Sequence, residues 1–282
     1  MKKTTWPGHA KCAFSFGWDL DGETIWRNKS KNFPGGETFI RSRSVGAFGP
    51  MRGAYRILDI MDKYHLKSTW FIPAENVARY PQLVREIQAA GHEIANHGLD
   101  HSPFYGSTPE AQLDNIRRSQ DIFLQVLGKK AVGFRPTGPL LPETEDALFS
   151  DSSTLYYSRG LAEEEICFCT ASDGKQTGVV SLPCRQELDE YIQMVYCSYP
   201  PIPTGQDRIA PYADVLAGFL RELQGGARFG SAMSTAFHPQ VSGTPGKSLI
   251  IEKLCEYIAS TPDIWCATCE EVAALWKKSM EE

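Results

Sequence analysis

Two carboxylates near the start of the chain have the spacing of a hydrolytic pair. Asp19 and Asp21 follow the apolar run 12–18, which predicts a short buried strand. Residues two apart in an extended chain face the same side, so one carboxylate can ligate a cation while the other takes a proton. Paired aspartates also form turns in ordinary loops, so this pair alone leaves both interpretations open.

Two histidines four residues apart form a candidate metal-binding pair. His97 and His101 follow a second predicted strand, 92–95. Both imidazoles can converge on one cation from a helical turn or a tight loop, although solvated loop histidines would show the same spacing. The preceding His92-Glu93 does not begin a zinc-protease motif, because His97 comes one position too late for H-E-x-x-H.

An arginine and a histidine follow two further predicted strands. Arg135 comes after the strand 131–134, and His238 comes after the strand 232–237. A strand-end arginine is often a surface ion pair and a lone histidine is often structural, but histidine is also suited to proton transfer near neutral pH. In a (β/α) barrel the active site forms at the carboxyl ends of the strands, so all four places belong to one candidate site.

The order of elements predicts an α/β architecture. Apolar runs alternate with amphipathic stretches, as expected when parallel strands are each followed by a crossover helix. The further elements that we predict are helix 51–64, strand 68–72, helix 76–90, helix 109–127, helix 211–223, a helix opened by Thr244-Pro245, strand 264–267 and a last helix opened by Thr268. The stretch 136–206 is less regular. The Gly-, Ser- and Arg-rich segment 27–53 predicts a loop above the strand carboxyl ends, and we expect a single domain over 1–282.

Composition excludes some partners. The chain has 29 basic and 34 acidic residues, a net charge of -5, and no basic cluster long enough to follow a phosphate backbone, so nucleic acid is not an expected partner. No apolar stretch approaches the roughly 18–20 residues of a membrane-spanning helix. The basic start Met1-Lys2-Lys3 is not followed by the apolar core of a secretory signal, so we expect a cytoplasmic protein.

The eight cysteines are then expected to be reduced. Cys266 and Cys269 have the spacing of a zinc-binding pair, but the second pair that a structural zinc site needs is missing.

In this order, the four places resemble the polysaccharide deacetylase family, the carbohydrate esterases of family 4 with a NodB-homology domain. The resemblance spans about residues 14–276 and includes the connecting stretches 67–73, 90–94 and 269–273. The matching motifs are the aspartate-bearing strand at Trp18 to Asp21, the H-x-x-x-H motif at His97 to His101, the Arg-Pro motif at Arg135-Pro136 and the His-Pro motif at Phe237-His238-Pro239. What the resemblance implies is a distorted (β/α)7 barrel, similar to a TIM barrel.

The resemblance also implies a metal site. Asp21, His97 and His101 would hold one divalent cation, for which we expect zinc, with cobalt or nickel as alternatives. Such an ion polarises an amide carbonyl and lowers the pKa of a coordinated water from about 15.7 toward roughly 7, so a weak carboxylate base suffices.

Four further residues receive catalytic roles from the resemblance. Asp19 would be the general base, Arg135 would orient it, and His238 would be the general acid that protonates the departing nitrogen. The family's Arg-x-Pro spacing is compressed here to Arg135-Pro136. The acidic motif that positions the catalytic histidine has only a loose counterpart at Leu188-Asp189-Glu190, from which we select Asp189.

The resemblance leaves the substrate open. We predict a polysaccharide or peptidoglycan deacetylase-like hydrolase of a non-peptide carbon–nitrogen bond, acting on an N-acetylated sugar. The segment 46–50 looks like that of intracellular relatives, which include peptidoglycan deacetylases and hydrolases of cyclic imides and allantoin. A small cyclic amide is therefore an alternative substrate. We expect Trp26, Phe48 and Pro136 to contact it.

Two other functions remain possible at this point. The barrel could bind amino sugars without turnover, although its metal and proton-transfer residues are all present. It could also catalyse hydrolysis without a metal. Intracellular relatives commonly assemble as homodimers or homotetramers, and aromatic residues near Phe48, Trp70 and Tyr105 are compatible with such an interface.

Overall fold

Strands and helices alternate over the residues that the computed structural model describes, which are 4–159, 164–195 and 209–281. In chain order the strands are β1 (Cys12–Asp19), β2 (Ser68–Ile72), β3 (Glu93–Asn96), β4 (Gly133–Phe134), β5 (Tyr156–Arg159), β6 (Cys167–Thr170), β7 (Gln176–Pro183), β8 (Ala232–Ser234) and β9 (Ile264–Cys266). The α-helices are α1 (Thr24–Ser30), α2 (Ile40–Phe48), α3 (Ala54–Lys63), α4 (Ala74–Arg79), α5 (Pro81–Ala89), α6 (Pro109–Leu127), α7 (Pro142–Ser150), α8 (Tyr191–Met194), α9 (Tyr212–Phe229), α10 (Pro239–Ser242), α11 (Pro245–Ala259) and α12 (Cys269–Glu281). The interpretation of Met1-Lys2-Lys3, and parts of the irregular stretch 136–206, lie outside the described residues.

Seven parallel strands close into a distorted ring. The strands β1, β2, β3, β4, β5 and β7 pair in this order, and β8 pairs with β1. A bridge between Asp189 and Ala236, just beyond β7 and β8, joins the last two strands and closes the ring. Outside it, β6 pairs antiparallel with β7, and β9 pairs with the first half of β1. The predicted α/β barrel is confirmed, and its parallel strands bring their carboxyl ends to one edge.

The ends of two predicted helices are confirmed by their hydrogen bonds. Thr108 accepts a hydrogen bond from the Ala111 amide at 3.3 Å at the start of α6, and Gly128 follows the helix with a φ of 74°. Before α12, the Thr268 amide donates to Glu271 at 2.9 Å and the Glu271 amide donates back to the Thr268 hydroxyl at 3.1 Å. These reciprocal bonds satisfy amide groups that a helix start leaves without partners.

Two predicted elements were wrong in detail. The single helix expected over 76–90 is two helices, α4 and α5, because Tyr80 is non-helical and Pro81 opens the second helix. The loop expected over 27–53 is largely helical and contains most of α1, the whole of α2 and a π-helical turn, Gly49–Gly53. We call residues 24–53 the covering segment.

Three glycines seat the covering segment on its neighbours. A Cβ atom at Gly46 would lie 2.3 Å from the carbonyl oxygen of Gly22, and one at Gly53 would lie 2.1 Å from that of Pro239. At Gly49 it would lie 3.2 Å from the backbone nitrogen of Gln240. The segment therefore rests directly on the main chain that follows β1 and on the main chain of α10.

Surface and core positions correct one further expectation. Trp70 is fully buried and packs against Trp18, so it cannot contribute to an exposed aromatic surface, whereas Tyr105 is exposed. Cys266 and Cys269 are free thiols. Neither belongs to the two groups of described side chains that lie close enough together to hold a metal ion, which are Asp21, His97 and His101, and Asp189, Glu190 and His238. Within the described ranges, no helix is both long enough and apolar enough to cross a bilayer. The cytoplasmic location stays a prediction.

Candidate active site

Asp21, His97 and His101 converge at the carboxyl ends of β1 and β3. The Oδ1 atom of Asp21 lies 3.7 Å from Nε2 of His97 and 3.4 Å from Nε2 of His101. One ligand atom from each residue lies within 4.8 Å of the other two. Donor atoms placed about 2.1 Å from a tetrahedral cation are about 3.4 Å apart, so these separations match a site for one divalent ion.

The chemistry of the three donors also fits a cation. Oδ1 of Asp21 is buried and lacks a hydrogen-bond donor among the described residues, and burial raises the pKa of this carboxyl group to about 8. The Nδ1–H of His97 donates to the carbonyl oxygen of Arg135 at 2.7 Å, which leaves the lone pair of Nε2 directed toward Asp21. Burial lowers the pKa of His97, and lowers that of His101 to about 3, so both imidazoles are neutral and can act as ligands.

Main-chain contacts hold the segments that carry these ligands. The Asn76 side chain, in α4, donates to the carbonyl oxygen of Asp21 at 2.7 Å. The Asn28 side chain, in α1, donates to the carbonyl oxygen of Asp100 at 2.7 Å. The next residue, His101, has a φ of 59°, a left-handed conformation that costs a non-glycine residue free energy. The two asparagines therefore restrain the main chain at Asp21 and directly before His101.

A buried arginine holds the second carboxylate, Asp19. Nη1 of Arg135 donates to Oδ1 of Asp19 at 2.5 Å. The remaining guanidinium groups donate to the Ser158 hydroxyl, the Ser234 hydroxyl and the Thr235 carbonyl oxygen, at 3.0 to 3.1 Å. Burial would raise the pKa of Asp19, but the charges of Arg135 and of the His238 imidazolium outweigh it and hold the pKa below its usual value. Asp19 is therefore ionised and fixed in direction.

Gly17 leaves room for this arginine inside the ring. A Cβ atom there would lie 2.9 Å from Nη2 of Arg135 and 2.2 Å from the carbonyl oxygen of Thr235. Any side chain at position 17 would therefore push β8 away from β1 or displace the guanidinium. The glycine two residues before Asp19 is thus required for the position of the carboxylate.

The carboxylate that holds His238 is Glu190, which the sequence analysis missed. Oε2 of Glu190 lies 2.9 Å from Nδ1 of His238, and Oε1 accepts from the His238 amide at 2.5 Å and from the Ser242 hydroxyl at 2.9 Å. The neighbouring Asp189 lies 4.0 Å from the same Nδ1 atom and accepts instead from the Tyr191 amide at 2.8 Å. The only sequence signal for Glu190 is its position beside Asp189.

The other imidazole nitrogen of His238 faces the ligand group. Its Nε2 atom lies 3.6 Å from Oδ2 of Asp21. Burial would lower the pKa of His238, but Glu190, Asp21 and Asp189 outweigh it and raise the pKa well above its usual value. The imidazole therefore carries a proton that it can deliver beside the candidate metal site.

Known proteins resemble this chain in sequence and in fold. The sequence profile of the polysaccharide deacetylase family matches residues 48–147, which include His97, His101 and Arg135. A peptidoglycan deacetylase from Helicobacter pylori is 26% identical, over 92% of this chain and 94% of that protein. A solved structure from Mycobacterium smegmatis, whose name also refers to a polysaccharide deacetylase, is 26% identical, with a TM-score of 0.88 over 100% of this chain and 95% of that chain.

The polysaccharide deacetylase resemblance is confirmed over residues 48–147. This likeness supports a hydrolase that cleaves amide carbon–nitrogen bonds. The crystal structure of Puue allantoinase has a TM-score of 0.83 over 100% of this chain and 95% of that chain, at 18% identity. That likeness establishes a shared fold.

The three residues expected to contact substrate differ in their exposure. Trp26 is 3% exposed and packs against α2, where a Cβ atom at Gly46 would lie 2.7 Å from its ring. Phe48, at the end of α2, and Pro136, directly after Arg135, are both partly exposed. Substrate contact by these three residues stays a prediction.

The two adjacent acidic residues allow a direct test of which one supports His238. We expect Glu190→Gln to lower kcat about 100-fold or more, because it removes the negative charge that stabilises the imidazolium and leaves KM little changed. Asp189→Asn should retain kcat within about threefold, since its carboxylate does not hydrogen-bond the ring. Steady-state kinetics of both variants would measure this, and the reverse ranking would show that Asp189 is the supporting group.

Proposed function

We propose that this chain is a metal-dependent hydrolase of a non-peptide amide bond, of the polysaccharide or peptidoglycan deacetylase type. The observation that supports this most is the convergence of five side chains. Asp21, His97 and His101 form a ligand group, Oδ2 of Asp19 lies 3.8 Å from Nε2 of His97, and Nε2 of His238 lies 3.6 Å from Asp21. A base and an acid thus border one candidate cation site.

The base side of the reaction belongs to Asp19. A divalent cation held by Asp21, His97 and His101 would supply Lewis acidity that polarises the amide carbonyl and makes water more acidic. Asp19, kept ionised by Arg135, takes the proton of the attacking water. Because Arg135 fixes the carboxylate through one oxygen, the second oxygen is the one left to act as base.

The acid side belongs to His238. Its Nε2–H protonates the leaving nitrogen as the carbon–nitrogen bond breaks, which prevents expulsion of an unstable amide anion. Glu190 accepts a hydrogen bond from Nδ1 and supports the positive charge before the transfer. We propose zinc as the cation, with cobalt and nickel as alternatives, because two imidazoles and one carboxylate are ligands that these ions share.

A small cyclic amide is the second candidate substrate, and burial of the site favours it. Asp21 is fully buried, and Asp19, His97 and His238 are each less than a tenth exposed. Residues of the covering segment also contact the main chain at Gly22, Asp100 and Pro239. An open groove for a polymer would expose these groups, whereas a small ring could be enclosed by them.

A substrate panel tests the proposed function. We expect the purified full chain, supplied with zinc, cobalt or nickel, to hydrolyse an N-acetylated amino-sugar oligomer, a cyclic imide or a ureide, and to lose activity when a chelator removes the metal. Release of acetate or opening of the ring would be measured directly. Metal binding without turnover of any amide would favour a non-catalytic binding protein, and turnover unaffected by the chelator would favour metal-independent chemistry.

We also propose that the chain forms a homodimer or homotetramer. Large hydrophobic residues are exposed on and just after the covering segment, namely Phe33, Ile40, Val45, Met51 and Tyr55. Burying such a patch against a second copy would remove apolar area from water. Light scattering of the purified protein would give the oligomeric state.

A further inference from the structure

A buried glutamine contacts Oδ2 of Asp21, while the other oxygen, Oδ1, is the one paired with His97 and His101. Gln240, in α10, is 3% exposed, and its Nε2 donates to Oδ2 of Asp21 at 3.3 Å. Oδ1 of the same carboxylate faces the two imidazoles. The glutamine therefore acts on one oxygen of Asp21, while the other oxygen points to the place where a cation would lie.

The other end of the Gln240 amide is unsatisfied. Its Oε1 is buried and has no hydrogen-bond donor in the described part of the chain. It lies under the covering segment, where a Cβ atom at Gly49 would be 3.1 Å away. A buried carbonyl without a partner costs free energy, so Gln240 is unfavourable for the fold at this end.

The orientation of the amide follows from the carboxylate beside it. Asp21 is ionised when it binds a cation, and turning the amide by half a rotation would then bring Oε1 against an Oδ2 that can only accept, so the two oxygens would repel each other. Only the orientation with Nε2 toward Asp21 makes a hydrogen bond there. The contact with Asp21 is thus the one polar interaction that this buried side chain makes among the described residues, and the unsatisfied Oε1 accompanies it.

We propose that Gln240 is a positioning residue for the cation. By holding Oδ2, it keeps the carboxylate plane turned so that Oδ1 faces His97 and His101. Hydrogen-bond partners of this kind orient metal ligands, and their loss commonly weakens metal binding. The proposal rests on the proposed function, because it requires that Asp21, His97 and His101 bind a cation.

A second buried glutamine supplies a matched control. Gln112, in α6, is 1% exposed, and both ends of its amide are satisfied. Its Nε2 donates to the Phe104 carbonyl oxygen at 2.9 Å, and its Oε1 accepts from the Leu141 amide at 3.0 Å. Gln112 therefore stabilises the fold through two hydrogen bonds, and none of these contacts involves the ligand group.

The test compares Gln240→Met with Gln112→Met in the full chain. Zinc affinity would be measured by competition with a chromophoric chelator, and the Tm of the metal-free protein would be measured in excess chelator. We expect Gln240→Met to raise the Kd for zinc about 10–100-fold while its metal-free Tm equals or exceeds that of the wild type. We expect Gln112→Met to lower the metal-free Tm by several degrees and to leave the Kd within about threefold.

Weaker zinc binding together with an unchanged or higher metal-free Tm distinguishes a positioning role from a packing role. An unchanged Kd for Gln240→Met, or a Kd and a Tm that worsen together, would overturn the proposal while leaving the proposed function intact. Failure of the wild type to bind zinc, cobalt or nickel would overturn both. Gln240→Leu provides a second apolar variant with the same expected outcomes if the methionine variant does not fold.

Discussion

Replacement of Asp21 by alanine should abolish stoichiometric zinc binding and lower kcat/KM at least about 1000-fold. Asp21 is the one carboxyl group of the ligand group Asp21, His97 and His101, so it alone can supply a negative charge to a bound cation. Two neutral imidazoles alone would hold a divalent ion weakly, and the water would then lose its activation. Metal content after dialysis, measured by inductively coupled plasma mass spectrometry, and steady-state kinetics would check both parts.

The control for this prediction is Asp100→Asn. Asp100 lies between the two histidines, and its carboxylate accepts a hydrogen bond from the Ser102 amide at 3.0 Å, which an asparagine oxygen can also accept. We expect this variant to retain zinc. If Asp21→Ala also retained one zinc per chain, the assignment of the metal ligands would be wrong.

In the metal-free protein, Asp21→Ala should become less destabilising, or even stabilising, as the pH rises. Burial raises the pKa of Asp21 from 3.8 to about 8 in the folded protein, so its stabilising contribution is full at low pH and is lost as the pH rises through about 8. In excess chelator, the Tm of Asp21→Ala should therefore approach or exceed that of the wild type as the pH is raised from 5 toward 8. Such a gain in Tm would show that Asp21 serves metal binding and does not stabilise the fold at that pH.

Replacement of Asp19 by asparagine should separate metal binding from turnover. Asparagine has a similar shape but cannot accept a proton, so we expect zinc content to be unchanged and kcat to fall about 100- to 10,000-fold. The change also leaves the buried guanidinium of Arg135 without its counter-ion, which should lower the free energy of unfolding by about 3–5 kcal/mol. Kinetics, metal analysis and denaturant unfolding measure the three quantities.

A destabilised control variant with an intact Asp19 shows whether the loss of activity in Asp19→Asn is chemical. Thr235 and Ser234 also accept hydrogen bonds from Arg135, and Ser234→Ala removes one of these acceptors without changing Asp19. We expect Ser234→Ala to lose stability but to retain most of its kcat. Full activity of Asp19→Asn would instead exclude Asp19 as the general base.

Periodicity predicted most of the barrel, and it failed where tertiary contacts determine the local structure. The strands β1 and β2 and the helix α6 lie close to their predicted bounds, because their apolar spacing and caps are strong local signals. Residues 27–53 were predicted as a loop because the stretch is rich in Gly, Ser and Arg, and glycine in particular disfavours helix formation. Its helices depend on close backbone packing at Gly46 and Gly53, which no local pattern reports.

The candidate site was predictable where residue type determined the role. Two aspartates, two histidines and an arginine at strand ends are uncommon enough to be recognised together, and the structure brings them to one place. Glu190 and Gln240 were not predictable, because a sequence does not reveal which of two adjacent carboxylates faces the ring, or that a glutamine contacts a residue more than 200 positions away.

The tight seating of the covering segment limits how this protein can be redesigned. Gly46, Gly49 and Gly53 approach neighbouring main-chain atoms too closely to accept a methyl group without a shift. Ile40 and Val45 point outward and have space around them. Laboratory evolution toward bulkier substrates should therefore accumulate changes at the outward positions, while mutations at the three glycines would disappear from the selected pool.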